Sequence, residues 1–212
     1  MLYKYKEVSF VVGDLHFGDE GLFNLVYFRD FLTKEAYIEQ VITNYNKIVA
    51  KNAVVIFLGD LGRKDALEKY IPRLNGYKIL ILGNHDEYAK SFYQKLFAEV
   101  YDHPLFITKR IVLSHEPIPV EPGVINIHGH THYVFLESEE HFNYCIEHTN
   151  YTPVRFKQIM NLLPKVAKPR RKFLEEWYRD KQIWQGPVRS DLVLDEQNKI
   201  DVVATLKKRE EE

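Results

Sequence analysis

The chain has 212 residues, 45% of them hydrophobic, enough for one sizeable core and too few for a well-developed second domain. A formal charge of -1 and an isoelectric point of about 6.8 give no global basic field to draw in nucleic acid or an anionic membrane. Cys145 is the only cysteine, which excludes an intramolecular disulfide, disfavours a zinc–thiolate cluster and fits a reducing compartment.

Residues 1–10 carry Lys4, Lys6 and Glu7 and lack the apolar segment of a secretory signal. No apolar stretch is long enough to span a bilayer, so a cytoplasmic protein without a membrane partner is expected. Val8–Val12 reads as a first strand bounded by Gly13. Residues 17–32 form an aromatic-rich connection without a clean period. Thr33 is the expected N-cap of a helix that places Tyr37, Val41, Tyr45 and Ile48 on one side. Val54–Leu58 and Ile79–Leu82 read as buried strands, separated by a helix over Asp65–Leu74 that Asn75-Gly76 closes. A further helix is expected around Tyr88–Val100.

The pattern then becomes strand-rich. Leu105–Thr108 and Ile111–Ser114 read as a hairpin, Val124–Ile127 and Phe142–Glu147 as strands, and Phe156–Leu162 as a short helix. Sheet packed on sheet with helices outside is the expected architecture. One domain over residues 1–163 is expected, followed by an extension, 164–212. That extension has a basic stretch at 165–172, Trp177 and Trp184, a late hairpin over 192–203 and a charged tail.

Five fragments carry the chemistry: Asp14-Leu15-His16, Gly59-Asp60, Gly83-Asn84-His85-Asp86, Ser114-His115 and Gly129-His130-Thr131-His132. Each follows an apolar run, and ligand sites of α/β sheets lie just beyond the carboxyl ends of their strands. A carboxylate such as Asp60 can bridge two cations. Asn84 binds through oxygen without adding charge, and neutral imidazoles leave net positive charge to receive a phosphate. A pair of ions about 3.5–4 Å apart would activate a shared water.

These five blocks, in this order, resemble the calcineurin-like metallophosphoesterases, whose pattern is D-x-H, G-D, G-N-H-[DE], H and G-H-x-H. The resemblance covers Val8 to Leu162 and is greatest to small bacterial and phage-type single-domain members, through Asp14–Gly18, residues 73–80 and Thr149–Pro153. It implies a four-layer α/β/β/α sandwich of two mixed sheets flanked by helices. It also implies a phosphoesterase hydrolysing a phosphomonoester or phosphodiester by in-line attack of a metal-bridging hydroxide. Asp14, His16 and His132 would bind one metal, Asn84, His115 and His130 the other, and Asp60 both. His85 would be the general acid, with Asp86 orienting or charging it. The metals would be two divalent ions, Mn2+ favoured, with Fe, Zn2+, Ni2+ or Co2+ as alternatives, and the partner a small phosphate ester or nucleotide.

Asp19, Glu20 and Gly21 depart from the subgroup, and two carboxylates at the metal mouth would repel a phosphate dianion. Arg29 is a candidate phosphate contact. Arg63 and Lys64 read rather as the start of a solvated helix, His128 as a strand residue with a local hydrogen bond, and Cys145 as core. Two other functions use the same fold. A nuclease would need the basic stretch or the aromatics at 23–31 to guide a strand, and a non-catalytic interaction platform would need neither metal.

Overall fold

The computed structural model describes residues 8–27, 30–134 and 138–163. All of them belong to the first of two units into which the chain divides, Met1–Glu175. Arg29, the basic stretch 165–172, Trp177, Trp184 and the late hairpin lie outside the described residues.

Two mixed sheets with flanking helices form the core. The first joins β1 (Phe10–Val12), β2 (Val54–Phe57), β3 (Tyr77–Ile81) and β4 (Glu99–Tyr101) in parallel, in the order β4-β3-β2-β1. A late antiparallel strand closes its edge beside β1 (Val154–Arg155, β9 in chain order). The second sheet has the order β5-β6-β7-β8: β5 (Leu105–Thr108) turns back into β6 (Ile111–Leu113), and β7 (Ile125–His128) and β8 (His141–Asn143) continue in parallel.

Strand alternation divides the interior into two layers, because successive side chains of a strand point to opposite faces. Phe10, Val12, Val55, Phe57 and Leu80 face the helices, where Tyr37, Val41 and Tyr45 of α2 (Lys34–Ile48) and Leu67 of α3 (Lys64–Tyr70) meet them. Val11, Ile56, Leu58, Ile79 and Ile81 face the other way, onto Ile111, Leu113, Ile125 and Ile127 of the second sheet. Thr33 caps α2 as expected, its side chain accepting from the Ala36 N–H at 3.1 Å.

Four elements differ from the sequence expectation. The helix expected over Asp65–Leu74 is α-helical only to Tyr70. Pro72 lacks an N–H to continue the ladder, and a 3-10 turn, Ile71–Arg73, leads to Gly76 at φ 94°. The helix expected over Tyr88–Val100 shrinks to Lys90–Tyr93, because Glu99–Tyr101 pairs with β3 instead. The strand expected over Phe142–Glu147 ends at Asn143, and Ile146–Thr149 is a 3-10 turn. Within the aromatic connection lie a short helix, Glu20–Leu22, and a π-helical turn, Phe23–Tyr27. Its rings Phe23 and Tyr27 are buried in the helix-side core, so they form no exposed stacking platform.

A candidate metal centre at the strand ends

β1, β2 and β3 run parallel in one sheet, β6 and β7 in the other, and the loops leaving their carboxyl ends carry the five fragments. The loops after β1 and β2 prolong the ladder: Asp14, His16 and Phe17 donate their N–H groups to the carbonyls of Gly59, Asp60 and Leu61. Two bonds tie the sheets together at this edge. The His130 N–H donates to Asp14 Oδ1 at 2.8 Å, and His115 Nδ1 lies 2.7 Å from the Leu58 carbonyl oxygen.

Five of the seven candidate ligands have left-handed backbone: Asp14 (φ 57°), His16 (43°), Asp60 (52°), His130 (66°) and His132 (42°). Among the described non-glycine residues only Asn150 and Tyr151 share this conformation. Each such residue costs on the order of 1–2 kcal/mol, and strain of this kind collects at functional sites. Buried tyrosines hold the first of these turns. Tyr27 and Tyr37 stack at 4.3 Å, and their hydroxyls donate to the carbonyls of Asp14 and Leu15, each at 2.7 Å.

Glycines make room for the carboxylates. A Cβ on Gly83 would lie 2.2 Å from Asp60 Oδ1, and one on Gly129 would lie 1.9 Å from Asp14 Oδ2. Neither glycine has positive φ, so space alone explains them.

The donor atoms converge on two centres. Asn84 Oδ1 lies 2.8 Å from both His115 Nε2 and His130 Nδ1, and those two nitrogens are 3.1 Å apart. Ligands at right angles on one ion, about 2.1 Å from it, are about 3.0 Å apart. This triangle therefore has the dimensions of an ion's coordination face. Asp14, His16 and His132 form the second group, with ligand atoms within 4.8 Å of one another. Asp60 Oδ2 stands between the groups, 3.6 Å from His16 Nε2 and 3.4 Å from His115 Nε2.

Polar satisfaction gives an independent test of fit. Asp14 Oδ2 and both ring nitrogens of His16 are buried without a hydrogen-bond partner among the described residues. Buried orphans of this kind are costly unless something is bound there, and two acceptor-rich clusters around a shared carboxylate suit divalent cations. Burial pushes the His16 and His130 imidazoles down to about 3, the latter also through His115, so both present bare lone pairs at neutral pH. It pushes the Asp14 carboxyl up to about 7. Burial would raise Asp60 too, but His115 and His16 beside it hold its carboxyl well below the usual range. Burial disfavours charge on His115, yet Asp60, and then Asp14, outweigh it and raise the imidazole to about 10.

His85 is exposed at the rim, its ring centroid 5.6 Å from that of His16, and its N–H donates to Asp60 Oδ1 at 2.9 Å. The Asp86 carboxylate accepts from the N–H groups of Asp60, Gly83 and Leu61 at 2.9, 2.9 and 3.0 Å, latching two ligand loops together. Asp19 caps the short helix through the Leu22 N–H, and Glu20 pairs with Lys34 at 3.4 Å, so both carboxylates have local partners. His128 is buried with Nδ1 2.8 Å from the Gly129 carbonyl, the local bond expected for it, and Cys145 is buried.

Sequence reasoning missed three supports. The Tyr27 and Tyr37 hydroxyls are one. Asn143 is the second: its amide donates to Thr131 Oγ1 and to the His132 carbonyl, while its oxygen accepts from the Cys145 N–H. Glu147, 2.7 Å from His132 Nδ1, is the third. Asn143 and Glu147 are the polar positions of the strand expected over Phe142–Glu147, and that was the only signal for either.

The family model for calcineurin-like phosphoesterases matches residues 10–205. An uncharacterized protein of Methanocaldococcus jannaschii is 27% identical over 172 residues, covering 74% of this chain and 91% of that protein. A crystal structure of a protein of unknown function from Aquifex aeolicus superposes with a TM-score of 0.59 at 24% identity, covering 72% of this chain and 97% of that one, which shows a shared fold.

Proposed function

The chain belongs to the calcineurin-like phosphoesterase family, and from that premise we propose that it hydrolyses a small phosphomonoester, phosphodiester or nucleotide with two divalent ions, Mn2+ favoured. The observation that carries this reading is the convergence of Asn84, His115 and His130 on one centre and of Asp14, His16 and His132 on another, with Asp60 between them.

When bound, the two ions supply an activated water and neutralise charge on the phosphate. The protein's own groups do the rest. The Leu58 carbonyl takes the Nδ1–H of His115, which leaves Nε2 to face the centre. Asp86 fixes the Asp60 and Gly83 loops relative to one another. His85, exposed at the rim, hands a proton to the leaving-group oxygen. The buried aromatics of the 23–27 turn give a nuclease no platform there, which favours a small substrate.

Turnover of nitrophenyl phosphate or bis-nitrophenyl phosphate on addition of Mn2+ tests the proposal. Asp60→Asn should abolish that turnover, and a variant as active as the wild type would refute it.

A further inference from the structure

We propose that Glu147 is a positioning residue, fixing the tautomer and orientation of His132 and thereby setting the affinity of the Asp14–His16–His132 centre for its ion. The inference rests on the metal-binding reading above and concerns a side chain outside the five motifs.

Glu147 Oε1 lies 2.7 Å from His132 Nδ1, and the Glu147 side chain is only 3% exposed. A carboxylate is an acceptor only, so Nδ1 carries the proton and Nε2 is left bare. The same 3-10 turn grips His132 a second time, because His148 Nε2 lies 2.5 Å from the His132 carbonyl. Asn143 donates to that carbonyl as well. Side chain and backbone of His132 are therefore both held, at a residue whose left-handed backbone needs holding.

His132, Cys145 and Glu147 also cluster closely enough to suggest an ion of their own. The 2.7 Å contact instead joins two of the three groups directly. A separation of 2.7 Å is that of a charge-assisted hydrogen bond.

Glu147 Oε2 is buried with no hydrogen-bond partner among the described residues. An orphan carboxylate oxygen is costly in a dry interior unless positive charge lies close by. The imidazole of His132, with a cation on its far nitrogen, supplies that charge. A carboxylate behind a ligating histidine typically changes metal affinity by about 10–100-fold.

The test uses the full chain as wild type, Glu147→Ala and Glu147→Gln. Mn2+ titration by calorimetry reads the affinity of each site, and long-range 1H–15N spectra of the Zn2+-loaded protein read the His132 tautomer. Glu147→Ala should weaken one of the two sites by about 10–100-fold, leave the other within about threefold, and lose the single Nδ1–H tautomer. Glu147→Gln, whose amide oxygen still accepts the proton's bond, should keep the tautomer and recover part of the affinity. Two equal wild-type affinities in Glu147→Ala, or an equal loss at both sites in both variants, would overturn the proposal. A wild-type chain that binds no ion would overturn the metal-binding reading itself, and with it this one.

Discussion

Gly129→Ala is the sharpest probe of the site, because it adds one methyl group to a residue whose φ suits alanine. Gly129 lies outside the positive-φ region, so alanine can adopt its conformation. The new Cβ would lie 1.9 Å from Asp14 Oδ2, whereas real Cβ atoms essentially never come within 3.0 Å of another heavy atom. The carboxylate or the Gly129 backbone must therefore yield by at least about 1.1 Å, and ligand positions tolerate only about 0.2 Å. The His130 N–H bond to Asp14 Oδ1 would be disturbed as well. The variant should fold and bind one divalent ion where the proposed function has the wild type bind two, with affinity at the disturbed centre down at least roughly 100-fold, or about 2.7 kcal/mol. Metal analysis after dialysis and Mn2+ calorimetry measure both quantities. Gly21→Ala, whose nearest atom would be 3.4 Å away, serves as the neutral control. Two ions at wild-type affinity in Gly129→Ala would refute the claim that Asp14 is a ligand whose place the glycine protects.

Two more substitutions probe the supports. Tyr37→Phe keeps the ring but leaves the buried Leu15 carbonyl without its 2.7 Å donor, which should cost about 1–3 kcal/mol in denaturant unfolding. No loss would mean that the hydroxyl is not holding the strained turn. Burial lowers His128 from its ordinary 6.5 to about 4, so the unfolded chain binds the extra proton. Its contribution to stability is complete above pH 6.5 and lost as pH falls toward 4, amounting to at most about 3 kcal/mol. In chelator, His128→Gln should lose stability less steeply over that window than the wild type, and parallel curves would disprove the assignment.

The centre was legible in the sequence to the extent that its groups are short, polar and placed directly after apolar runs. Asp14, Asp60, Asn84, His115 and His130 all sit one to three residues past a strand end, and a parallel sheet brings such positions to one edge without further information. The apolar runs at Val54–Leu58 and Ile79–Leu82 also marked buried strands, and their two faces line separate core layers. What failed was local. Leu96, Phe97 and Val100 have helical spacing, but an open sheet edge beside β3 took Glu99–Tyr101 as a strand. The Asp86 oxygens reach back 25 and 26 residues to main-chain donors. Glu147 stands 15 residues from His132, and only the fold brings the pair together. Contacts that depend on tertiary closure leave no mark in spacing.

The left-handed turns restrict which amino acids can drift into this centre. Asn, Asp, His and Gly tolerate that region best, whereas β-branched and bulky side chains do so only under strain. At Asp14, His16, Asp60, His130 and His132 the conformations that steer a donor inward thus admit chiefly residues that are themselves donors, or glycine. Mutational scanning of these positions would meet two filters with nearly the same mesh. Chain geometry screens candidates before chemistry does, and a neutral loss of activity has few doors to leave by: Asp to Asn, His to Asn, or either to Gly.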